Sequence, residues 1–197
     1  MSNMLLLGTT TSPYTRKIRI LAGEIGLPVE LLDTRTEAGA ARLREVAPLG
    51  KVPVLLPDAH TVVPDSTLIV AWLWDRFAPR LSAAGWDLRP FDFVDQSDRV
   101  VIEGGMDAAI NRFYLRQAGF EDRGYVAKQR DRSETVLAWA DRRARFIRPR
   151  THAGLSLGCW LDWLDFRAVV RLDRFAGLLA YRTEWSAAGI GRGSEPS

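Results

Sequence analysis

The opening of the chain joins a short apolar run to a helical pattern through a polar turn. Residues 4–7 are Met-Leu-Leu-Leu, which predicts a buried strand. From residue 18 onward, isoleucine and leucine recur at the spacing of one helix face. Ser12 and Pro13 stand between the two patterns, and these residue types favour the N-cap and first position of a helix. The stretch therefore predicts strand, turn and helix, with a hydroxyl beside a helix N-terminus, where an anion is stabilised.

The alternation of strand and helix patterns continues to about residue 79. A strand is predicted over 29–32, a helix over 36–46, and two strands over 52–56 and 60–63, joined as a hairpin. A further helix begins at Asp65 and Ser66. The order βαβαββα is that of the thioredoxin-like plan, in which a mixed sheet carries helices on both faces.

The second half of the chain shows only helical patterns. Residues 80–90 contain Pro, Ser and Gly and predict a linker. Amphipathic or apolar segments follow over 91–117, 125–147, 155–171 and 172–185, and the stretch 155–166 is apolar on nearly every side, as in the centre of a helical bundle. We therefore expect an α/β domain over 1–79, a linker over 80–90, an all-helical domain over 91–187 and a disordered tail over 188–197.

Composition narrows the classes of function. One cysteine among 197 residues excludes an internal disulfide, and with only two histidines no metal site is expected. No apolar run approaches the 18 residues of a membrane span, and the N-terminus lacks the charge and apolar length of a signal peptide, so a cytoplasmic location is expected. The net charge is +3 and the pI about 9.3, but acidic residues lie among the basic ones. Neither nucleic acid nor a membrane is expected as a partner.

Three local features could together bind a small peptide. Ser12 could stabilise a thiolate, although Thr10 or Thr11 could do so instead, and Ser12 alone could be a plain helix cap. At Val52-Pro53, a cis bond would turn the Val52 main-chain groups outward to pair with an extended ligand, whereas a trans proline would mark an ordinary edge strand. At Asp65-Ser66, a helix N-terminus could hold a carboxylate and an amine, or could simply be capped.

These motifs, taken together, resemble glutathione transferases. The matching stretches are 12–19, 48–55 and 65–69 in the first half and, more weakly, 157–159 and 164–167 in the second. The resemblance is to bacterial, serine-type members and spans about residues 4 to 185. It implies a detoxifying, homodimeric enzyme that activates the thiolate of glutathione, its co-substrate, for attack on small hydrophobic electrophiles.

The resemblance also implies a role for individual residues. Ser12 would contact the glutathione sulfur as a hydrogen-bond donor, and Val52, followed by cis Pro53, would pair with the cysteinyl main chain. The other positions implied at the glutathione site are Thr11, Lys51, Asp65 and Ser66, with Lys51 near the glycyl end and the last two at the γ-glutamyl end. On the apolar-substrate side the implied positions are Tyr14, Met106 and Ile110.

The chain departs from the family pattern before the central helix. Relatives carry a Ser/Thr-x-x-Asp capping box there, whereas the stretch 151–154 ends in Gly154. Unless another group replaces this acid, its absence would lower the stability of the helix by about 1 kcal/mol. A non-catalytic interaction or regulatory protein on the same scaffold is the alternative function, and isomerase, dehalogenase or ether-cleaving activity would use the same site.

Overall fold

The structure, a computed structural model, describes residues 4–197 and divides them into two compact units. The first unit ends at Pro90 and also includes Ile190–Ser197, and the second is Phe91–Gly189. The first three residues, on which the expectation about a signal peptide partly rests, lie outside the described part. Within residues 4–197, no helix is both long and apolar enough to cross a membrane.

The first unit has the predicted βαβαββα order. Its elements are β1 (Met4–Gly8), α1 (Pro13–Glu24), β2 (Val29–Asp33), α2 (Glu37–Val46), β3 (Val54–Leu56), β4 (Val63–Pro64) and α3 (Ser66–Ala83). The strands form one mixed sheet in the order β2-β1-β3-β4. β1 runs parallel to β2 and antiparallel to β3, and β3 runs antiparallel to β4. The thioredoxin-like prediction is therefore confirmed.

The sheet is buried on both faces, which explains its continuous apolar strands. Leu7, Val54 and Leu56 form a core cluster with Ala47, against which Leu43 of α2 packs. Side chains alternate between the two faces of a strand, so Leu6 and Leu55, which are also fully buried, project to the opposite face. An unbroken run such as residues 4–7 is what a strand covered on both sides requires.

The predicted hairpin differs from the observed one. β3 begins at Val54 rather than at residue 52, and β4 covers only Val63–Pro64 rather than 60–63. The reason is a local turn in which the Asp58 carboxylate accepts hydrogen bonds from the amides of His60 and Thr61 and from the Thr61 hydroxyl. These bonds give the main chain of the loop a local partner in place of a neighbouring strand.

Helix α3 extends into the predicted linker. It continues to Ala83 although Pro79 lies inside it, and Phe77 departs from helical geometry with φ −129°. A proline removes one main-chain donor and clashes with the preceding turn, so a kink at this position is the expected accommodation. Residues 80–83 are therefore helical, and the non-helical connection is shorter than predicted.

The second unit is helical, as predicted. It contains α4 (Phe93–Gln117), α5 (Tyr125–Arg143), a short 3-10 turn (Ala144–Phe146), α6 (His152–Phe166) and α7 (Ala176–Ala187). The third helix ends at Phe166 rather than 171, since Ala168 takes the left-handed conformation, φ +50°, that closes a helix C-terminus. The prediction of a central helix is confirmed, because every residue of α6 from His152 to Leu161, including Cys159, is buried.

The N-terminus of α6 replaces its missing capping acid from another helix. The Thr151 hydroxyl accepts from the Gly154 amide at 3.2 Å, and the Asp95 carboxylate of α4 accepts from the Ala153 amide at 3.1 Å. A Cβ at residue 154 would lie 2.0 Å from the Arg148 carbonyl oxygen. The close approach of this loop excludes any side chain at residue 154, so the acid has to come from elsewhere.

The C-terminal segment differs from the predicted disordered tail. Residues Ile190–Ser197 belong to the first unit, where Ile190 is 4% and Ser194 7% exposed. Ser194 accepts hydrogen bonds from two arginines of α1, so the segment has defined contacts along that helix.

Candidate functional site

The turn between β1 and α1 presents the Ser12 hydroxyl at a helix N-terminus. Ser12 has extended backbone geometry, Pro13 occupies the first helical position, and the Ser12 Oγ accepts from the Thr15 amide at 3.2 Å. A serine hydroxyl has one proton and two acceptor positions, so this capping bond leaves the proton available. Among residues 4–197 no acceptor takes it, and Ser12 can therefore both cap α1 and donate to an anion.

The three threonines before Ser12 are already engaged with protein groups. The Thr9 and Thr11 hydroxyls lie 3.3 Å apart. The Thr10 hydroxyl accepts from Arg35 at 3.3 Å and donates to the Ser197 main-chain oxygen at 2.6 Å. Because Thr10 has given its only proton to Ser197, Ser12 is the better-placed donor of the two in this structure.

The Val52–Pro53 peptide bond is cis, as predicted. Val52 is half-buried and precedes β3, whose pairing with β1 and β4 begins at Val54. Within the described part of the chain, the main-chain N–H and C=O of Val52 have no hydrogen-bond partner. A donor and an acceptor on one residue at the end of a strand can pair with an extended ligand as a neighbouring strand would.

Helix α3 begins with an aspartate that caps the helix and a serine that does not. Asp65 has φ +69°, a conformation that few residues other than glycine adopt, and its carboxylate caps the Thr67 amide at 2.6 Å. Ser66 is only 3% exposed, yet neither its hydroxyl nor its amide finds a partner among the described residues. A helix of 18 residues adds its dipole at this end, so the arrangement suits a carboxylate.

The sheet register brings the three features to one edge. Leu7 pairs with Val54, and Val54 pairs with Pro64, so these residues form one row across β1, β3 and β4. Just beyond this row lie the Ser12 turn, Val52 and the start of α3. Adjacent strands lie about 4.8 Å apart, so the row spans a distance that a short peptide can bridge.

Of the remaining predicted residues, two belong to the first unit and two to the second. Lys51 is exposed, and among residues 4–197 it has no ion-pair partner. Tyr14 is half-buried, with the Lys17 ammonium 5.7 Å from its ring centre. Met106 and Ile110 lie on α4 of the second unit, where Met106 is fully buried and Ile110 half-buried. Their assignment to an apolar-substrate side stays a prediction.

Sequence reasoning missed one residue that organises the turn. Arg35 donates to both carboxylate oxygens of Asp33 at the end of β2, and the same guanidinium group donates to the Thr10 hydroxyl. The hydrogen bond with Arg35 lowers the pKa of Asp33. The spacing Asp33-x-Arg35 is a detectable ion-pair signal, but the contact with Thr10 depends on the parallel pairing of β1 and β2.

Comparison with known proteins identifies this architecture. Residues 6–81 match the family model for the glutathione S-transferase N-terminal domain. Residues 6–81 are therefore similar to the glutathione S-transferase N-terminal domain. The match covers β1 to α3, including Ser12, the Val52–Pro53 bond and Ser66. A search of curated proteins gave no match.

Solved structures extend the likeness to the whole chain. A glutathione S-transferase from Methylobacillus flagellatus, solved with glutathione bound, is 25% identical and aligns over 99% of this chain and 100% of its own, with a TM-score of 0.84. A glutathione S-transferase from Methylobacterium radiotolerans, in complex with glutathione sulfonate, is 27% identical over 99% and 95%, with a TM-score of 0.77. A family member from Pseudomonas fluorescens is 24% identical over 99% and 100%, with a TM-score of 0.81. The chain therefore has the glutathione transferase fold in both units.

Proposed function

We propose that this protein is a glutathione transferase that activates the thiol of bound glutathione for attack on small hydrophobic electrophiles. The observation that carries the proposal is the row Leu7–Val54–Pro64, which gathers a free hydroxyl, a free main-chain pair and an open helix N-terminus at one sheet edge. Related transferases have been solved with glutathione or glutathione sulfonate bound, which supports glutathione as the ligand here.

Each part of glutathione has a chemically matched group on the first unit. The cysteinyl main chain pairs with the N–H and C=O of Val52, beside Pro53. The γ-glutamyl carboxylate accepts from the Ser66 hydroxyl and amide, and the γ-glutamyl ammonium pairs with Asp65, whose second carboxylate oxygen remains available beside the Thr67 cap. The Lys51 ammonium, exposed on the approach to β3, pairs with the glycyl carboxylate.

The Ser12 hydroxyl acts on the sulfur. A free thiol has a pKa of about 8.5 and is mostly protonated at pH 7. Donation from the Ser12 Oγ–H, together with the N-terminus of α1, favours the thiolate and lowers this pKa. The capping bond from the Thr15 amide withdraws charge from the Ser12 oxygen and strengthens its O–H as a donor. The Thr11 hydroxyl lies 3.3 Å from that of Thr9 and can share a proton with it, which favours Ser12 over Thr11 as the sulfur donor.

The reaction then needs positioning more than further acid or base catalysis. The thiolate uses one electron pair to form a bond to the electrophilic carbon. In a substitution the leaving group departs with the pair of the broken bond, and in an addition the π pair moves away from that carbon and the atom that receives the pair takes a proton from water. Ser12 donates a hydrogen bond throughout and forms no covalent bond. On the first unit Tyr14, which keeps exposed surface, is the candidate for contact with the apolar substrate.

Glutathione binding and a Ser12 substitution test the proposal. We expect calorimetry to detect one glutathione per chain, and Ser12→Ala to retain binding while lowering the conjugation rate about 100-fold, since loss of one preorganised donor has that scale. Thr10→Val and Thr11→Val are the matched controls and should change the rate less than tenfold. Absence of glutathione binding would refute the transferase and favour a non-catalytic interaction protein on the same fold.

We also propose a cytoplasmic homodimer. Large apolar side chains are exposed on the first unit at Leu49, Val62 and Leu68, with exposed fractions of 79%, 42% and 52%. Association of two copies would remove this apolar surface from water. Sedimentation of the purified chain should give twice the monomer mass of 22.1 kDa, and Leu49→Asp with Leu68→Asp should shift the distribution to monomer.

A further inference from the structure

The C-terminal segment Ile190–Ser197, here called the strap, lies along α1. The Arg16 Nε donates to the Ser194 hydroxyl at 3.4 Å, and the Arg19 guanidinium donates to the Ser194 carbonyl at 3.2 Å. The Ser194 hydroxyl in turn donates to the Gly191 carbonyl at 2.7 Å. Arg16 is only 2% exposed, so its contact with the strap is a buried one.

Gly191 allows the strap to approach α1 this closely. Its φ is +74°, and a Cβ there would lie 3.0 Å from the Ile20 Cδ1 and 3.1 Å from the Arg16 Nη2. Gly193 shares the left-handed conformation, φ +77°, but a Cβ there would have no neighbour within 4 Å among the described residues. The two glycines therefore have the same backbone geometry, but only at Gly191 would a side chain contact α1.

The strap ends on the turn that presents Ser12. The Ser197 main-chain oxygen accepts the Thr10 proton at 2.6 Å, while Arg35 donates to the same hydroxyl from the other side. Thr10 lies two residues before Ser12 and has the same hydroxyl chemistry. Without Ser197, the Thr10 proton would be free to turn toward an anion at this edge of the sheet.

We propose that the strap selects Ser12 as the sulfur ligand. By holding the Thr10 proton and restraining the Thr9–Thr11 turn, the strap leaves the donor role at the N-terminus of α1 to the Ser12 hydroxyl rather than to Thr10. Ser194, Arg16 and Arg19 are positioning residues, because they act through the turn and not on the substrate. This inference rests on the proposed function.

The test compares Ser12→Ala in full-length chains whose straps differ. Gly191→Ala should loosen the strap, because the side-chain ends of Ile20 and Arg16 would have to move by a few tenths of an ångström. Gly193→Ala is the matched control, with the same left-handed backbone and no such contact among the described residues. In the wild-type and Gly193→Ala chains, Ser12→Ala should lower the conjugation rate about 100-fold. In the Gly191→Ala chain it should cost less than tenfold, since Thr10 becomes a donor, and adding Thr10→Val there should restore the full loss. An equal loss from Ser12→Ala in all three chains would overturn the proposal.

Hydrogen exchange separates failure of the strap from failure of the proposed function. Amides of residues 8–16 should exchange several-fold faster in Gly191→Ala than in Gly193→Ala, without glutathione present. Ser194→Ala, which removes the bond from Arg16, should give the same direction of change if Gly191→Ala does not fold. Unchanged exchange in both variants would refute the docked strap, whereas changed exchange without glutathione binding would refute only the transferase.

Discussion

The N-termini of α6 and α3 are built from similar residues but are completed in opposite ways. At α6, the Thr151 hydroxyl takes the Gly154 amide and the Asp95 carboxylate takes the Ala153 amide. At α3, the Asp65 carboxylate takes the Thr67 amide, yet the hydroxyl and amide of Ser66 remain unpaired within residues 4–197. The first N-terminus is closed by protein groups, and the second is open.

The difference shows how a structural cap and a binding site can be told apart. Helix N-termini always present unpaired amides, so a serine, threonine or aspartate there has little meaning by itself. The N-terminus of α6 is buried, and the carboxylate of Asp95, which is distant in sequence, accepts a hydrogen bond from one of its amides. α3 lies at the sheet edge beside Val52 and the Ser12 turn, where its open groups can serve a ligand. The open amide and hydroxyl, rather than the residue type, indicate function.

The largest effect on stability is expected at the N-terminus of α6, where no space is left for a side chain at residue 154. Gly154→Ala should lower the free energy of unfolding by about 3 kcal/mol, because a Cβ would lie 2.0 Å from the Arg148 carbonyl oxygen and 2.8 Å from that of Pro149. The matched control is Gly104→Ala on α4, where a Cβ would meet nothing within 4 Å, and where alanine should stabilise the helix by about 0.5–1 kcal/mol. Urea denaturation measures both, and equal effects would contradict the packing described here.

The open N-terminus should affect binding and not stability. Ser66→Ala should weaken glutathione binding by about 1.5–3 kcal/mol, the scale of a hydrogen bond to a charged group, while changing the free energy of unfolding by less than about 0.5 kcal/mol. Calorimetry and denaturation of the same preparation decide this. A loss of stability with unchanged binding would reassign Ser66 to the core.

Asp65→Asn should also weaken glutathione binding without unfolding the protein. Asparagine tolerates a positive φ and can still cap the Thr67 amide, so the fold is retained. Loss of the charge should cost about tenfold in glutathione affinity, because the γ-glutamyl ammonium loses its partner. Asp58→Asn, an exposed substitution in the loop before β4, is the control and should leave the affinity unchanged.

Removal of the Asp95 carboxylate from the N-terminus of α6 should lower the free energy of unfolding less than Gly154→Ala does. Asp95→Ala should lower the free energy of unfolding by about 1 kcal/mol, the usual cost of a lost N-cap acceptor, and leave glutathione binding intact. Asp131→Ala, which removes an exposed carboxylate from α5, should change stability by less than about 0.5 kcal/mol. An Asp95→Ala effect as small as that of Asp131→Ala would mean that Thr151 caps α6 alone.

The smallest effect is the pH dependence of this cap. Burial raises the pKa of Asp95, and its hydrogen bonds with Thr151 and the Ala153 amide only partly oppose the rise. Below the unfolded pKa of about 3.9 the carboxyl is neutral in both states, and between that value and the raised folded pKa only the unfolded state loses its proton, which lowers the free energy of unfolding. The stability of wild type relative to Asp95→Asn should therefore fall as the pH rises above about 3.9 and level off once the pH has passed the folded pKa. A rise over the same range would contradict the assigned direction.

The first unit could be predicted from sequence because its signals are local. The run at residues 4–7, the Ser12-Pro13 pair and the Asp65-Ser66 pair each mark an element within a few residues, and their order specifies the topology. The strand limits at residues 52 and 60 were wrong because the Asp58 turn provides local hydrogen bonds that periodicity does not reveal.

Contacts between distant parts of the chain could not be predicted. Asp95 reaches Ala153 across 58 residues, and Thr10 reaches Ser197 across 187. Glycine-rich composition predicted disorder for residues 188–197, whereas Gly191 is the residue that lets the strap pack against α1. For the candidate site, sequence supplied the residue types at the edge of the sheet, and the register Leu7–Val54–Pro64 supplied their proximity.

The pKa of the glutathione thiol in the complex tests the central claim most directly. Ultraviolet absorbance of the thiolate, followed as a function of pH with glutathione at saturation, should give a pKa at least about 1 unit below the value for free glutathione. In Ser12→Ala the pKa of the bound thiol should rise most of the way to the value for free glutathione, whereas in the control Thr11→Val it should stay as in wild type. Bound glutathione with an unshifted thiol pKa, or the same lowered pKa in Ser12→Ala, would contradict the role of the Ser12 hydroxyl.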